Sequence, residues 1–158
     1  MPNFVYTAMP TEMAEAYRAG APDANGRPAE RGMAGADGGL PCRHCMRDIV
    51  DGEEYLLLAY RPFDGDHPYA EVGPIFLHAG PCERHAGHDD LPPVVAARPQ
   101  ALVRGYNTDD RIVYGTGKSM PVADLTAYAE ALFARPDIAY LHLRSATNSC
   151  YTCRVDRR

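Results

Sequence analysis

The chain has 158 residues, of which 46% are hydrophobic and 23% are charged, and this balance predicts a folded domain rather than a disordered segment. The length suits one domain, residues 1–158, with a core of its own. A formal net charge of −5 argues against a nucleic-acid partner, which would require a concentrated basic surface.

The sequence contains no apolar run near the roughly 20 residues of a membrane span, and its N-terminus lacks a signal-peptide pattern. We therefore expect a cytoplasmic protein with no membrane partner. Cysteines usually stay reduced in that compartment, and an odd count of five fits a disulfide framework badly. The cysteines thus indicate a metal site or thiol chemistry.

The first forty residues predict one strand, one short helix and a long loop. Residues 4–8 form the strand, and Thr11 is the predicted N-cap of a helix at about 12–19. Residues 20–39 are rich in Gly, Pro, Ala and mixed charges without a hydrophobic period. That composition predicts a mobile loop rather than a packed element.

The middle of the chain predicts strands. Residues 54–60 and 73–78 are nearly continuous apolar runs, which predict two strands buried on both faces. The second of these strands leads into a polar, histidine-rich turn. Further along, residues 102–106 and 111–115 flank a four-residue connection and predict a hairpin.

The clearest helix prediction spans about 121–135, where apolar residues recur at helical spacing and a proline follows the end. A strand at 138–144 comes next, with Tyr140, His142 and Arg144 on its polar face, and a final strand covers 150–155. Because strands dominate and few are followed by helices, we predict an α+β fold with a mainly antiparallel sheet.

The five cysteines lie in three places. Cys42 and Cys45 form one CxxC pair and Cys150 and Cys153 another; this spacing lets a turn aim two sulfurs at one ion. His78 and Cys82 offer a third pair, with His85 close behind, so Cys45, His78 and Cys82 with one further sulfur are a competing set. The predicted metal site is a four-residue subset of Cys42, Cys45, His78, Cys82, Cys150 and Cys153.

Zinc is the expected cofactor for such sulfur-rich ligands, and iron is the second choice. Two alternatives stay open. The cysteines can be small buried hydrophobic residues. Cys42 and Cys45 can also form a reactive dithiol whose thiolate is stabilised by Arg43 and His44. The redox alternative ranks lower, because thioredoxin-like motifs stand at a strand-to-helix junction and an extended segment follows here.

A second candidate site lies on the polar face of the strand at 138–144. His142 and Arg144, together with Arg61, Tyr69 and Arg104, could line a pocket for a small anionic molecule. The competing interpretation is that the arginines only solvate the face of a sheet and that His142 is a hydrogen-bonded core residue.

Four blocks of sequence, at residues 41–48, 54–60, 68–79 and 138–155, resemble an uncharacterised bacterial family, domain of unknown function 1203. The resemblance covers most of the chain after Leu40. It implies that Cys42 and Cys153 belong to only some members, which weakens the symmetrical double-CxxC site. The positions that it implies to be most recurrent are Cys45, His78, Cys82, His142 and Cys150.

The family has no established activity, so three functions remain open. The first is a small metal-binding domain, and the residues together favour it. The second is an enzyme that uses an open metal position or a reactive thiol at Cys45, Cys82 or Cys150, with His142 and Arg144 supporting the substrate. The third is a non-catalytic binder of a small anionic ligand.

Overall fold

The computed structural model describes residues 2–158 and arranges their strands in three sheets, all paired antiparallel. The largest sheet has the order β1 (Phe4–Thr7), β10 (Tyr151–Arg157), β9 (Tyr140–Ser145), β7 (Gln100–Tyr106) and β8 (Lys118–Pro121). The second has the order β2 (Glu30–Met33), β5 (Glu54–Tyr60) and β6 (Gly73–His78). A two-stranded ribbon pairs β3 (Leu40–Pro41) with β4 (Asp48–Ile49).

The helices are few and short. They are α1 (Thr11–Arg18), α2 (Pro93–Ala96) and α3 (Leu125–Phe133), and a 3-10 turn at Val122–Asp124 precedes the last. Helices connect few of the strands, so the predicted α+β fold with mainly antiparallel sheets is confirmed. Within residues 2–158, none of these helices has the length and apolar character needed to cross a membrane.

The five-stranded sheet buries one face against α3. Leu141 and Leu143 of β9 and Val155 of β10 alternate with polar residues, and they pack with Leu125 and Leu132 of the helix in one hydrophobic cluster. The opposite face carries the polar residues of the same strands. There His142 lies between Arg104 of β7 and Arg154 of β10.

The three-stranded sheet contributes to a second hydrophobic cluster. Leu56 and Leu58 of β5 and Leu77 of β6 are buried, whereas Leu57 and Phe76 between them are only half-buried. The prediction that both strands are buried on both faces is therefore wrong, and they alternate as strands with one covered face do. The cluster is completed by Met9, which precedes α1, by Ala14 of α1, and by Cys42, Cys45 and Ile49 of the β3–β4 hairpin.

Three further predictions need correction. Residues 20–39 were predicted to contain no packed element, but they include β2, which pairs along β5. The hairpin partner of β7 is β8 at Lys118–Pro121 rather than residues 111–115, which contribute one isolated bridge between Tyr106 and Ile112. The helix predicted at about 121–135 is shorter, because its first turn is a 3-10 turn and its last helical residue is Phe133.

Candidate metal centre

Four side chains from two separate parts of the chain converge beside the second hydrophobic cluster. They are Cys42, Cys45, His78 and Cys82, and one ligand atom from each lies within 4.8 Å of the ligand atoms of the other three. Cys42 and Cys45 are buried and the other two residues are half-buried. The site is thus the competing set of the sequence analysis, with Cys42 as the additional sulfur.

A tight turn presents the first two cysteines. The amide of Met46 donates to the carbonyl oxygen of Cys42 at 3.0 Å, and the amide of Cys42 donates to Arg47 at 3.0 Å. Met46 has a φ of 59°, in the left-handed region that non-glycine residues seldom enter, and it is fully buried. This closure makes residues 42–45 a compact CxxC turn, which β3 and β4 hold at its two ends.

The CxxC turn attaches directly to the strand that supplies the histidine. Cys42 bridges to Phe76 of β6, and the amide of Arg43 donates to the carbonyl oxygen of Phe76 at 3.1 Å. His78 is the last residue of β6, two residues beyond that bridge, and its own amide donates to Sγ of Cys42 at 3.4 Å. The backbone pairing therefore sets the position of His78 relative to both sulfurs.

The imidazole of His78 has a partner on each nitrogen. Nδ1 lies 3.4 Å from Sγ of Cys45, and Nε2 lies 3.2 Å from Oε1 of Glu53. A proton on Nε2 satisfies the carboxylate and leaves the Nδ1 lone pair facing the sulfurs. In metal sites a carboxylate in this position fixes the tautomer of the ligating histidine and raises its basicity.

Cys82 follows β6, and its sulfur contacts one guanidinium group and one imidazole ring. Nη2 of Arg18, at the end of α1, donates to its Sγ at 3.1 Å, and Nδ1 of His44 lies 3.1 Å from the same sulfur. Nε2 of His44 lies 2.9 Å from Oγ1 of Thr11.

The prediction of Thr11 as a helix N-cap is wrong, because its hydroxyl contacts His44 and Pro10 occupies the cap position.

The acidities of the three thiols depend on one another. Hydrogen bonds from the Cys45 and Cys82 thiols hold the pKa of the Cys42 thiol well below its ordinary value. The same contacts with Cys42, together with burial, raise the pKa values of Cys45 and Cys82. Of the three thiols, Cys42 is therefore the one whose ionisation the cluster favours most.

The donor set and its spacing fit a tetrahedral zinc ion. Bonds of about 2.3 Å to sulfur and 2.0 Å to nitrogen place two sulfurs about 3.8 Å apart and a sulfur and a nitrogen about 3.5 Å apart. Sγ of Cys42 and Sγ of Cys82 are 3.9 Å apart, and Sγ of Cys45 is 3.4 Å from Nδ1 of His78. Three cysteines and one histidine form a recurrent structural zinc set.

The second CxxC pair lies elsewhere. Cys153 is 1% exposed in the cluster beneath α3, where burial raises the pKa of its thiol to about 12. Cys150 lies half-buried just before β10 and lines a cavity. The two CxxC segments are nevertheless joined, because Nε of Arg43 donates to the carbonyl oxygen of Tyr151 at 2.8 Å. His85 also lies outside the four-residue group, and its ring packs against His88.

The residues predicted for an anion pocket lie on and around the polar face of the five-stranded sheet. Arg104 and Arg144 approach the same carboxylate, at 2.6 Å and 3.7 Å from Glu71. Tyr69 bonds to the hydroxyl of Tyr114 at 2.8 Å, and Arg61 lines a small neighbouring cleft. His142 is completely buried among four aromatic rings, those of Phe63, Tyr106, Tyr140 and Tyr151.

Burial in this environment, reinforced by the charges of nearby arginines, holds the pKa of His142 well below its ordinary value. Neither ring nitrogen has a hydrogen-bond partner among residues 2–158. The competing interpretation of His142 as a hydrogen-bonded core residue is therefore correct about its burial, but the structure gives it no hydrogen bond within the described protein.

No sequence pattern indicates the groups that surround the four candidate ligands. Glu53 contacts His78 across 25 positions, and Arg18 contacts Cys82 across 64 positions. Such separations leave no spacing motif. His44 contacts Cys82 rather than only its own CxxC pair. Its position between two candidate ligands is the one sequence feature that indicates a place in the site.

Comparison with known proteins gives one match. The chain matches the family described as "Protein of unknown function (DUF1203)" over residues 39–157, which is most of its length and includes all four residues of the cluster. No curated protein matches the chain. No solved structure matches it either.

Proposed function

The chain belongs to the DUF1203 family, whose function is unknown, and from its site we propose that it is a zinc-binding protein in which the metal has a structural role. The observation that carries the proposal is the convergence of Cys42, Cys45, His78 and Cys82 within 4.8 Å. Three thiolates and one imidazole are soft and borderline donors, which zinc accepts in tetrahedral geometry.

The number of ligands favours a structural role over a catalytic one. Four protein ligands fill a tetrahedral zinc site, whereas catalytic zinc keeps one position for water or substrate. The groups around the ligands act as supports. Glu53 orients His78, and Arg18 donates to Sγ of Cys82, which offsets the negative charge of a thiolate there. His44 adds a second donor to this sulfur when its proton is on Nδ1.

The proposed metal would join segments that are distant in sequence. The CxxC turn lies between β3 and β4, His78 ends β6, and Cys82 is tied to α1 through Arg18. The second hydrophobic cluster is small and built on a three-stranded sheet, so a shared ion adds a crosslink where apolar burial is limited.

The test is elemental analysis of the full chain, purified without a metal-binding tag. We expect about one equivalent of zinc per chain, as a single four-ligand site requires. A strong chelator should lower the Tm by roughly 10 °C or more, because metal binding and folding are coupled. Less than a tenth of an equivalent of any transition metal in fully folded protein would overturn the proposal, and a coloured iron protein would overturn the choice of zinc.

Variants locate the site. Cys45→Ser and Cys82→Ser should each lose the metal or bind it at least about tenfold more weakly. Cys150→Ser is the matched control, because that cysteine lies outside the four-residue group, and it should retain the full equivalent. Equal metal affinity of all three variants, measured in competition with a chelating dye, would show that the metal binds elsewhere.

A further inference from the structure

A cavity of about 810 Å³ lies outside the metal centre, at one end of the five-stranded sheet. Its walls come from the five-stranded and three-stranded sheets, from α2 and from the loop between β9 and β10. The apolar part of the wall includes Leu57, Pro74, Phe76, Val94 and Val95. Size and lining match sites for small organic ligands, which are mostly apolar with a few placed polar groups.

Three arginines line this cavity, and hydrogen bonds to the protein hold two of them in place. Arg98 forms a two-pronged ion pair with Asp48, at 2.8 Å and 2.9 Å. Arg43 donates to the carbonyl oxygens of Tyr151 and Pro41. These two side chains form parts of the wall whose hydrogen bonds hold it in place.

Arg144 differs from them. Its side chain is 5% exposed, and Nη1 donates to the carbonyl oxygen of Ser149 at 3.0 Å. Nε and Nη2 are buried and find no hydrogen-bond partner within residues 2–158. Oε2 of Glu71 forms an ion pair with Nη1 at 3.7 Å, which is too long for a hydrogen bond, and Oε1 of the same carboxylate accepts from Arg104 at 2.6 Å.

A buried guanidinium with two unused donors is costly, because its desolvation is repaid only by an anion and by complete hydrogen bonding. Guanidinium groups bind carboxylates and phosphates with two parallel bonds. Arg144 therefore offers the cavity a cation with unused hydrogen-bonding capacity, and the wall beside it offers an apolar surface. We propose that this cavity binds an organic anion with an apolar body, whose charged group pairs with Arg144.

Cys150 supplies an internal reporter for this proposal. It lines the same cavity and is half-buried, whereas Cys153 is completely enclosed in the other core. Its sulfur contacts only the carbonyl oxygen of Asn148, at 3.8 Å, among the hydrogen bonds of the described residues. A ligand in the cavity should therefore slow alkylation of this thiol.

The experiment uses the full metal-loaded chain with octanoate, octanol and inorganic phosphate as probes. Alkylation of Cys150 by iodoacetamide is followed by mass spectrometry, and affinity is measured by calorimetry. Octanoate should bind at least about tenfold more tightly than octanol, as expected for a bond to a charged group, and should protect Cys150. Arg144→Gln should remove that preference, whereas Arg111→Gln, an exposed arginine outside the cavity, should keep it.

The comparison of probes needs only the unmodified protein, so it decides the matter even where Arg144→Gln fails to fold. Equal binding of octanoate and octanol would overturn the role of Arg144. Protection of Cys150 by phosphate as strong as by octanoate would overturn the need for an apolar body. Absence of octanoate binding at millimolar concentration would overturn the proposal, while zinc content would remain a separate result.

Discussion

Glu53 and His78 form a hydrogen-bonded pair at the edge of the candidate metal centre: Oε1 of the carboxylate lies 3.2 Å from Nε2 of the imidazole. The other ring nitrogen faces Sγ of Cys45. The carboxylate side chain is 44% exposed and that of the histidine is 13% exposed, so the pair lies at the boundary between site and solvent. The same carboxylate oxygen also accepts from the amide of Val50, which fixes its position.

Replacement of Glu53 should weaken metal binding without changing the ligands. Glu53→Gln removes the charge that supports the imidazole, and we expect zinc affinity to fall about 10- to 100-fold in competition with a chelating dye. Glu54→Gln is the matched control, since this neighbouring glutamate pairs with Arg31 on the surface. Equal affinities of the two variants would contradict the role assigned to Glu53.

Removal of the Cys153 thiol should affect stability but not metal content. The side chain is enclosed in the hydrophobic cluster beneath α3, so Cys153→Ala should lower the free energy of unfolding by about 1–2 kcal/mol. Urea unfolding and elemental analysis of the same sample check both parts. Loss of zinc from this variant would favour the symmetrical double-CxxC site instead.

His142 should make stability fall in mild acid. Its pKa in the folded protein lies well below its ordinary value, because burial and the charges of Arg144, Arg154 and Arg104 disfavour the imidazolium. As the pH falls below about 6.5, His142 becomes protonated in the unfolded chain but stays neutral in the folded protein. His142 alone should then lower the free energy of unfolding by up to about 1.4 kcal/mol for each pH unit.

His142→Phe isolates that contribution. Phenylalanine suits a site lined by aromatic rings and cannot be protonated. The difference in free energy of unfolding between variant and wild type should therefore grow as the pH falls from 7 to 5. Below pH 6.5 it should grow by roughly 1 kcal/mol per pH unit. Ser119→Ala, at an exposed position without a titratable group, should follow the wild-type curve. Parallel curves for wild type and His142→Phe would contradict the prediction.

Arg157 should contribute to stability from the end of the chain. Its guanidinium donates to the carbonyl oxygens of Phe133, Arg135 and Ile138, which lie at the end of α3 and in the turn that follows. A cation in this position satisfies carbonyls that the helix leaves open. Arg157→Ala should cost about 1–2 kcal/mol in urea unfolding, and Arg27→Ala, on an exposed side chain, should cost less than about 0.5 kcal/mol.

Local patterns predicted the parts of the site that local geometry determines. The CxxC turn and the His78–Cys82 spacing each bring two ligands together over a few residues, and both pairs enter the cluster. The second pair could have been separated from the site by strand geometry. Residues three apart in an extended segment face opposite sides, so Cys150 and Cys153 cannot easily share an ion.

Long-range contacts were not predictable from patterns. β2 at Glu30–Met33 is largely exposed and pairs through its backbone, so it shows no hydrophobic period. The contact between Arg18 and Cys82 depends on the packing of α1 against the end of β6. In both cases the information lies in the assembled fold rather than in the local sequence.

The hydrogen bond from Arg43 to Tyr151 has a thermodynamic consequence. Arg43 belongs to the CxxC turn, yet it also lines the cavity, so any shift of the turn on metal binding changes the wall against which the organic anion would lie. Linkage then requires reciprocity: if zinc tightens the binding of the anion, the anion must tighten the binding of zinc by the same factor. The guanidinium of Arg43 would thus couple the binding equilibria of the two sites.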